Sequence, residues 1–185
     1  MIVHGTSTIA PDTKVESLQT LSSGDLSDLY DAATAAIGDG GGFGWLTPPD
    51  YDAMKAYWKG VLLVPERELL VARLDGVIAG SAQLQRAPRN NEAQAVVGTL
   101  TTFFLAPWAR GHGLAPHLVE AVESHARADG LKVLTLDVRA TQTRAIEIYE
   151  RAGYLHWGTN PRYALIDGQW VAGYYYSKDL EAPDT

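Results

Sequence analysis

The sequence contains no cysteine, which removes disulfide scaffolds, thiolate nucleophiles and cysteine metal sites at once. It also lacks any uncharged apolar run approaching a membrane span. Its opening, MIVHGTSTIAPDTK, has neither a basic n-region nor an apolar h-region. The expectation is a cytoplasmic protein with no membrane partner. Positive charge is in deficit: 15 Lys and Arg stand against 22 Asp and Glu, for a formal net charge of −7. A molecule of that sign does not attract nucleic acid or anionic lipid as a whole, so neither is expected as a partner. No repeat at solenoid spacing occurs. His, Asp and Glu nowhere cluster at metal-ligand spacing, so no metal is expected.

What is present fits one domain over residues 1–185, with 46% hydrophobic and 20% charged residues and no linker dividing it. About 1–12 and 181–185 read as frayed ends. A short strand is expected at Lys14–Leu18, then a helix capped by Ser22 or Ser23 that runs to Ile37 and stops at the glycine run. Thr47, ahead of Pro48 and Pro49, opens a second helix with Tyr51, Met54, Trp58 and Leu62 on one face. Asp75-Gly76 joins strands Glu68–Leu74 and Val77–Gln85 as a type I′ hairpin, and Ala95–Leu105 is a long strand. A helix over 114–129, a strand Val133–Val138 and a helix Arg144–Ala152 follow. A hairpin around Asp167-Gly168, with strands Tyr154–Ile166 and Trp170–Ser177, ends the chain. One strand–helix–strand crossover, 95–138, must be parallel. The fold class is α/β: a mixed, mostly antiparallel sheet flanked by helices, with a single parallel β-α-β crossover.

That crossover begins with APWARGHGLAPHL (106–118), where a glycine-rich loop runs into a helix. A helix N-terminus offers unpaired N–H groups and partial positive charge to an anion, Gly111 and Gly113 permit close backbone approach, and Arg110 adds a cation. Three readings compete: a plain helix-opening turn, a dinucleotide fingerprint, and an acyl-CoA pyrophosphate loop. The second is weakened by Pro116 standing where the third glycine belongs, and by the antiparallel hairpin that follows.

The constellation as a whole resembles the GNAT family of N-acetyltransferases. FFLAPWARGHGLAPHL is similar to that family's bulged strand and arginine-x-x-glycine-x-alanine loop, with Arg110, Gly113 and Ala115 on the signature positions. LTLDVRATQTRAIEIYERAGY (134–154) resembles its next strand and helix, with Ala145, Tyr149, Gly153 and Tyr154 in register. IDGQWVAGYYYSKDL (166–180) resembles its C-terminal hairpin. Residues 19–65, with GGGFGWLTPPD, look like a two-helix substrate-side segment with a lid and, more distantly, resemble the tabtoxin-resistance-type acetyltransferases.

The resemblance implies acetyl-CoA as acyl donor and a GNAT-like acyl-CoA N-acyltransferase fold. Arg110, Gly111, His112, Gly113, Leu114 and Ala115 would hold the pyrophosphate. Phe103, Phe104 and Leu105 would hydrogen-bond the pantetheine arm and polarise the thioester, with Gln142, Ala145 and Tyr149 beside it. Tyr149 falls on the family's general acid, although a tyrosine with Ile146 and Ile148 as neighbours can equally pack. The family's strand glutamate is Thr99 here, so the proton would leave by a water chain, backbone carbonyls or a remaining acid, of which Asp137 is the best placed, either as base or as a carboxylate that fixes the 139–143 loop. Phe43 and Trp45, in a glycine-rich segment with little local packing to claim them, are expected in the acceptor pocket on a loop able to close. Tyr51, Trp58, Trp157 and Tyr163 are further candidates that could equally be core. The function implied is acetyl transfer to a primary amine of a small molecule by direct attack. The alternative is a non-catalytic acyl-CoA-binding sensor or interaction module, and a homodimer is left open.

Overall fold

The computed structural model describes residues 10–41 and 43–181. Seven strands form one sheet in the order β1-β2-β3-β4-β5-β7-β6, built from β1 (Thr13–Leu18), β2 (Arg67–Leu74), β3 (Val77–Arg86), β4 (Val97–Leu105), β5 (Val133–Arg139), β6 (Leu155–Ile166) and β7 (Gln169–Asp179). Every neighbour pair is antiparallel except β4 with β5, which are joined by helix α3 (Leu114–Ala128) as the crossover requires. Helices α1 (Ser23–Gly38) and α2 (Tyr51–Leu62) precede β2, and α4 (Thr143–Arg151) lies between β5 and β6. Among the described residues no helix is long and apolar enough to cross a membrane.

Alternation along the strands divides the interior between the two sheet faces. Leu69, Val71 and Ile78 pack with Leu29, Met54 and Trp58 of α1 and α2. Leu70, Ala72 and Leu84 pack with Leu114, Leu118 and Val122 of α3, and Tyr149 of α4 joins that second cluster. Both hairpin turns have the expected chemistry: Asp75 and Gly76 have φ of 50° and 83°, and Asp167 and Gly168 have φ of 50° and 76°.

Most element ends shift by a residue or two from the sequence reading, and the starts of α2 and β4 shift by more than one. Asp50, not Thr47, caps α2, its carboxylate accepting the Ala53 N–H at 2.8 Å. Pro48 and Pro49 hold the intervening chain outside the helix, so the first capping side chain after them takes the role. Ala95 belongs to a 3-10 turn, and β4 starts at Val97. At the N-terminal edge of the described chain, Asp12 is tied to the first hairpin by its N–H to the Asp75 carboxylate at 2.8 Å and by the Asp75 N–H to its carbonyl at 2.8 Å.

Candidate active site

β4 and β5 pair only over Val97–Thr99 with Val133–Thr135. Past Thr99 they part, and the β5-facing edge of β4 has no ladder partner there. A bulge accompanies the parting: Ser81 pairs Phe104 and Gln83 pairs Thr101, so Thr102 and Phe103 together oppose Ala82. Thr102 has a φ of 53°, a left-handed conformation that a β-branched residue adopts only under tertiary constraint. A polar chain starts at this residue. The Thr102 hydroxyl lies 3.4 Å from that of Tyr57, the Tyr57 oxygen accepts from Nε2 of the fully buried Gln83 at 3.1 Å, and Oε1 of Gln83 accepts from Arg67 Nη1 at 3.1 Å.

On one side of the parting lies a groove of about 530 Å³ between the 103–115 chain and α4. Gly113 is the N-cap of α3 with a φ of 74°, Gly111 has a φ of 84°, and no side chain caps the helix. Pro116 has no N–H, so the Leu114 and Ala115 amides open α3 without intrahelical acceptors. These uncapped donors fit a diphosphate. Arg110 lines the groove, but its Nη2 sits 2.6 Å from the Asp39 carboxylate at the end of α1. Arg144 and Arg151 of α4 line it too, and the sequence reading did not pick them out. Phe103, Leu105, Gly111, Gly113, Leu114, Ala115, Gln142 and Ala145 are all brought to this groove. His112 is exposed on the loop, with Nδ1 3.2 Å from the Ala109 carbonyl oxygen. The Phe104 ring is buried in the α1/α2 core, 5.1 Å from Phe43, so what it offers the groove is chiefly backbone.

The other side opens into a cavity of about 780 Å³. Phe43, Trp45 and Tyr57 wall it from the N-terminal segment, Asp137 and Arg139 from β5, Tyr149 from α4 and Tyr163 from β6, with Arg67 at the start of β2. Groove and cavity share Phe103, Gln142 and Ala145, so they are two arms of one site. Phe43 is not unclaimed: its ring packs on Tyr57 at 5.7 Å and Trp58 at 5.5 Å, and Trp45 packs on Tyr57 at 5.1 Å. The glycine run is anchored as well, because Gln142 Nε2 donates to the Gly40 carbonyl at 2.6 Å and Arg139 Nη2 to that of Gly41 at 3.2 Å. Trp58 is wholly core, Tyr51 packs on Tyr30 at 5.2 Å, and Trp157 stands exposed beside Tyr175 outside the cavity.

Tyr149 is 4% exposed, its ring between Phe103 at 5.4 Å and Tyr154 at 5.9 Å. Burial, with the Asp137 charge adding, pushes its hydroxyl well above the usual phenol range, so it keeps its proton at neutral pH. Asp137 is the only carboxylate among the described residues lining the cavity, and it accepts a hydrogen bond from the Tyr163 hydroxyl. Burial first, then that bond, raises Tyr163 above its ordinary value. Thr99 sits at the root of the parting, its hydroxyl 3.2 Å from that of Thr135. It does not line the cavity. Among the described residues no group of three or more His, Asp or Glu is placed to hold a metal.

The model of the GNAT acetyltransferase family matches residues 26–154, from α1 through the end of α4. An N-acetyltransferase of Azospirillum brasilense, uncharacterised and located in the hisH-hisA intergenic region, is 64% identical over 133 residues, covering 72% of this chain and 79% of that protein. Among solved structures, an N-acetyltransferase from Staphylococcus aureus Mu50 aligns with a TM-score of 0.74 at 18% identity, over 92% of this chain and 99% of its own. The structure of yncA from Salmonella typhimurium with its cofactor acetyl-CoA aligns with a TM-score of 0.73 at 17% identity, over 93% and 98%. The two structures speak for the fold; the family match and the close relative carry the assignment. The chain belongs to the GNAT acetyltransferase family.

Proposed function

We propose that this acetyltransferase moves the acetyl group of acetyl-CoA to the primary amine of a small molecule by direct attack. The observation that carries this reading is the junction at Phe103, Gln142 and Ala145, where an anion-seeking groove meets an aromatic cavity beside Tyr149. Acetyl-CoA supplies an acetyl group on a thiol leaving group. The Gly111–Ala115 backbone and the arginines of the groove take its phosphates. The unpaired edge of β4 takes its pantetheine arm and polarises the thioester carbonyl. The amine nitrogen attacks that carbonyl carbon; a C–N bond forms as the C–S bond breaks. Tyr149 gives its proton to the departing sulfur, and the proton lost from nitrogen passes to Asp137, directly or through water. Positive charge growing on the nitrogen favours the phenolate and so eases the Tyr149 transfer. With no cysteine in the chain, a thiol-linked acyl-enzyme is unavailable.

A small acceptor suits the cavity because Phe43, Trp45 and Tyr57 narrow it from the N-terminal side. A cytoplasmic location goes with this reading. The non-catalytic sensor alternative rests on Thr99 replacing the strand acid; Asp137, which lines the cavity, supports the catalytic reading by offering a carboxylate in its place. Amine-dependent release of free thiol from acetyl-CoA decides between them, since a sensor binds the donor and releases nothing.

The hydrogen bond from Tyr163 to Asp137 has its own test. A Cβ on Gly173 would stand 2.1 Å from Cγ of Tyr163, so the ring cannot stay where it is. Gly173→Ala therefore moves the donor to Asp137. We expect about 1–3 kcal/mol of lost stability from overpacking. Turnover should fall at least several-fold with acetyl-CoA affinity kept, as read by steady-state kinetics and calorimetry on the folded variant. Unchanged turnover would detach Tyr163 and its hydrogen bond from the chemistry.

A further inference from the structure

Arg67 has no role in the acetyl transfer described above, yet it is built into the acceptor cavity with care. Its Nη1 donates to Gln83 Oε1 at 3.1 Å, and Gln83 is itself 0% exposed and held through Nε2 by Tyr57. That neutral partner fixes the guanidinium without consuming its charge. No carboxylate pairs with Arg67 among the described residues, whereas Arg73 and Arg86 each have two and Arg110 has one. Arg139, the other cation of the cavity, donates to the backbone carbonyls of Gly40 and Gly41 and likewise has no acid partner. The cavity therefore carries two guanidinium groups against the single carboxylate of Asp137, in a chain whose net charge is −7. Phosphates of the donor do not account for Arg67, because the groove has Arg110, Arg144 and Arg151 of its own.

Position along the sheet adds a distance. Arg67 stands on β2 and Asp137 on β5, three strands along and past Thr135, where β4 and β5 have parted, so their backbones stand at least roughly 14 Å apart before the side chains reach inward. A small molecule with charge at both ends spans such a gap: its anion at the β2 end, its amine at the parting of β4 and β5. An apolar body between them would lie against Trp45, Phe43 and Tyr57. An unpaired guanidinium fork held by a buried amide matches a carboxylate in shape and number of donors.

From this we infer that the acceptor is an amino acid, a small molecule bearing both a primary amine and a carboxylate, with the carboxylate held by Arg67. The inference rests on the acetyltransferase reading and adds the class of acceptor.

The experiment pairs amino acids with their carboxamides. A series of ω-amino acids of increasing length, each beside its amide, is offered with acetyl-CoA, with leucine, methionine and phenylalanine as acids too short between their charges to span the gap, and thiol release is followed. The expected result is at least one acid used ten- to a hundredfold better than its amide in kcat/KM, the range of a charge-assisted hydrogen-bonded contact. In Arg67→Gln that preference should shrink to about threefold or less. Arg67→Lys, which keeps the charge and loses the fork, should lie between. Acetyl-CoA affinity by calorimetry reports whether each variant is folded; if Arg67→Gln is not, the parent enzyme's acid-to-amide ratio decides alone. Equal use of acids and amides, or a preference that survives Arg67→Gln, overturns the carboxylate assignment and leaves acetyl transfer standing. Absence of thiol release with every amine offered overturns acetyl transfer itself, and this inference with it.

Discussion

Tyr149→Phe is expected to lower turnover by roughly ten- to a thousandfold, the range for loss of a positioned general acid, with acetyl-CoA affinity nearly unchanged. The substitution isolates one proton. The phenylalanine ring keeps the contacts with Phe103 and Tyr154 that seat Tyr149 in the α3/α4 core. No hydrogen bond to the Tyr149 hydroxyl is lost among the described residues, so stability should hold or rise slightly. A packing role and a catalytic role thus predict different outcomes: the first leaves kcat alone, the second lowers kcat and leaves stability and acetyl-CoA affinity alone. Loss of kcat in proportion to kcat/KM would place the interaction in the transition state. Parent-like turnover would return Tyr149 to the core.

The second large effect is expected at the helix that opens the donor groove. Gly113→Asp should weaken acetyl-CoA binding more than about a hundredfold, and more than Arg110→Ala does. Gly113 has a φ of 74°, and an L side chain there is strained by roughly 1–2 kcal/mol. The larger penalty is charge. Like charges about 4 Å apart near a protein surface repel by on the order of 4 kcal/mol, and the new carboxylate would sit where a phosphate meets the α3 amides. Arg110 contributes less because Asp39 already holds its guanidinium at 2.6 Å. Calorimetry on the folded variant reads the result directly, and unimpaired binding by Gly113→Asp would remove the pyrophosphate from this loop.

Much of this was legible in the chain because it is local. Asp75-Gly76 and Asp167-Gly168 announce their turns through residues tolerant of positive φ, and the one parallel pair follows from the helix between its strands. The glycine-rich loop and Tyr149 carry family register, and the loop lines the groove while Tyr149 lines the cavity. What escaped depends on contacts between distant segments. Arg67 begins a strand like any solvated arginine, and only the strand order β2-β3-β4-β5 brings it into a cavity with Asp137 and Tyr149. Tyr57 sits one residue from the buried Trp58, and nothing in its spacing reveals a bond to Gln83. The bulge at Thr102 and Phe103 arises from register against Ala82, with no glycine to mark it. Phe43 looked unclaimed because its neighbours in sequence are glycines; its neighbours in space are Tyr57, Trp58 and Phe104.

The account turns on direct transfer at the junction of groove and cavity. The most direct test is a label balance: acetyl-CoA labelled with carbon-13 in the acetyl group, mixed with the enzyme and the amino acid panel, with protein, amine and free thiol quantified together. The account predicts labelled N-acetyl product and free thiol in a one-to-one ratio, an unlabelled protein at every time point, and both products slowed equally by Tyr149→Phe. Donor binding without labelled amine, or label that accumulates on the protein, would contradict it.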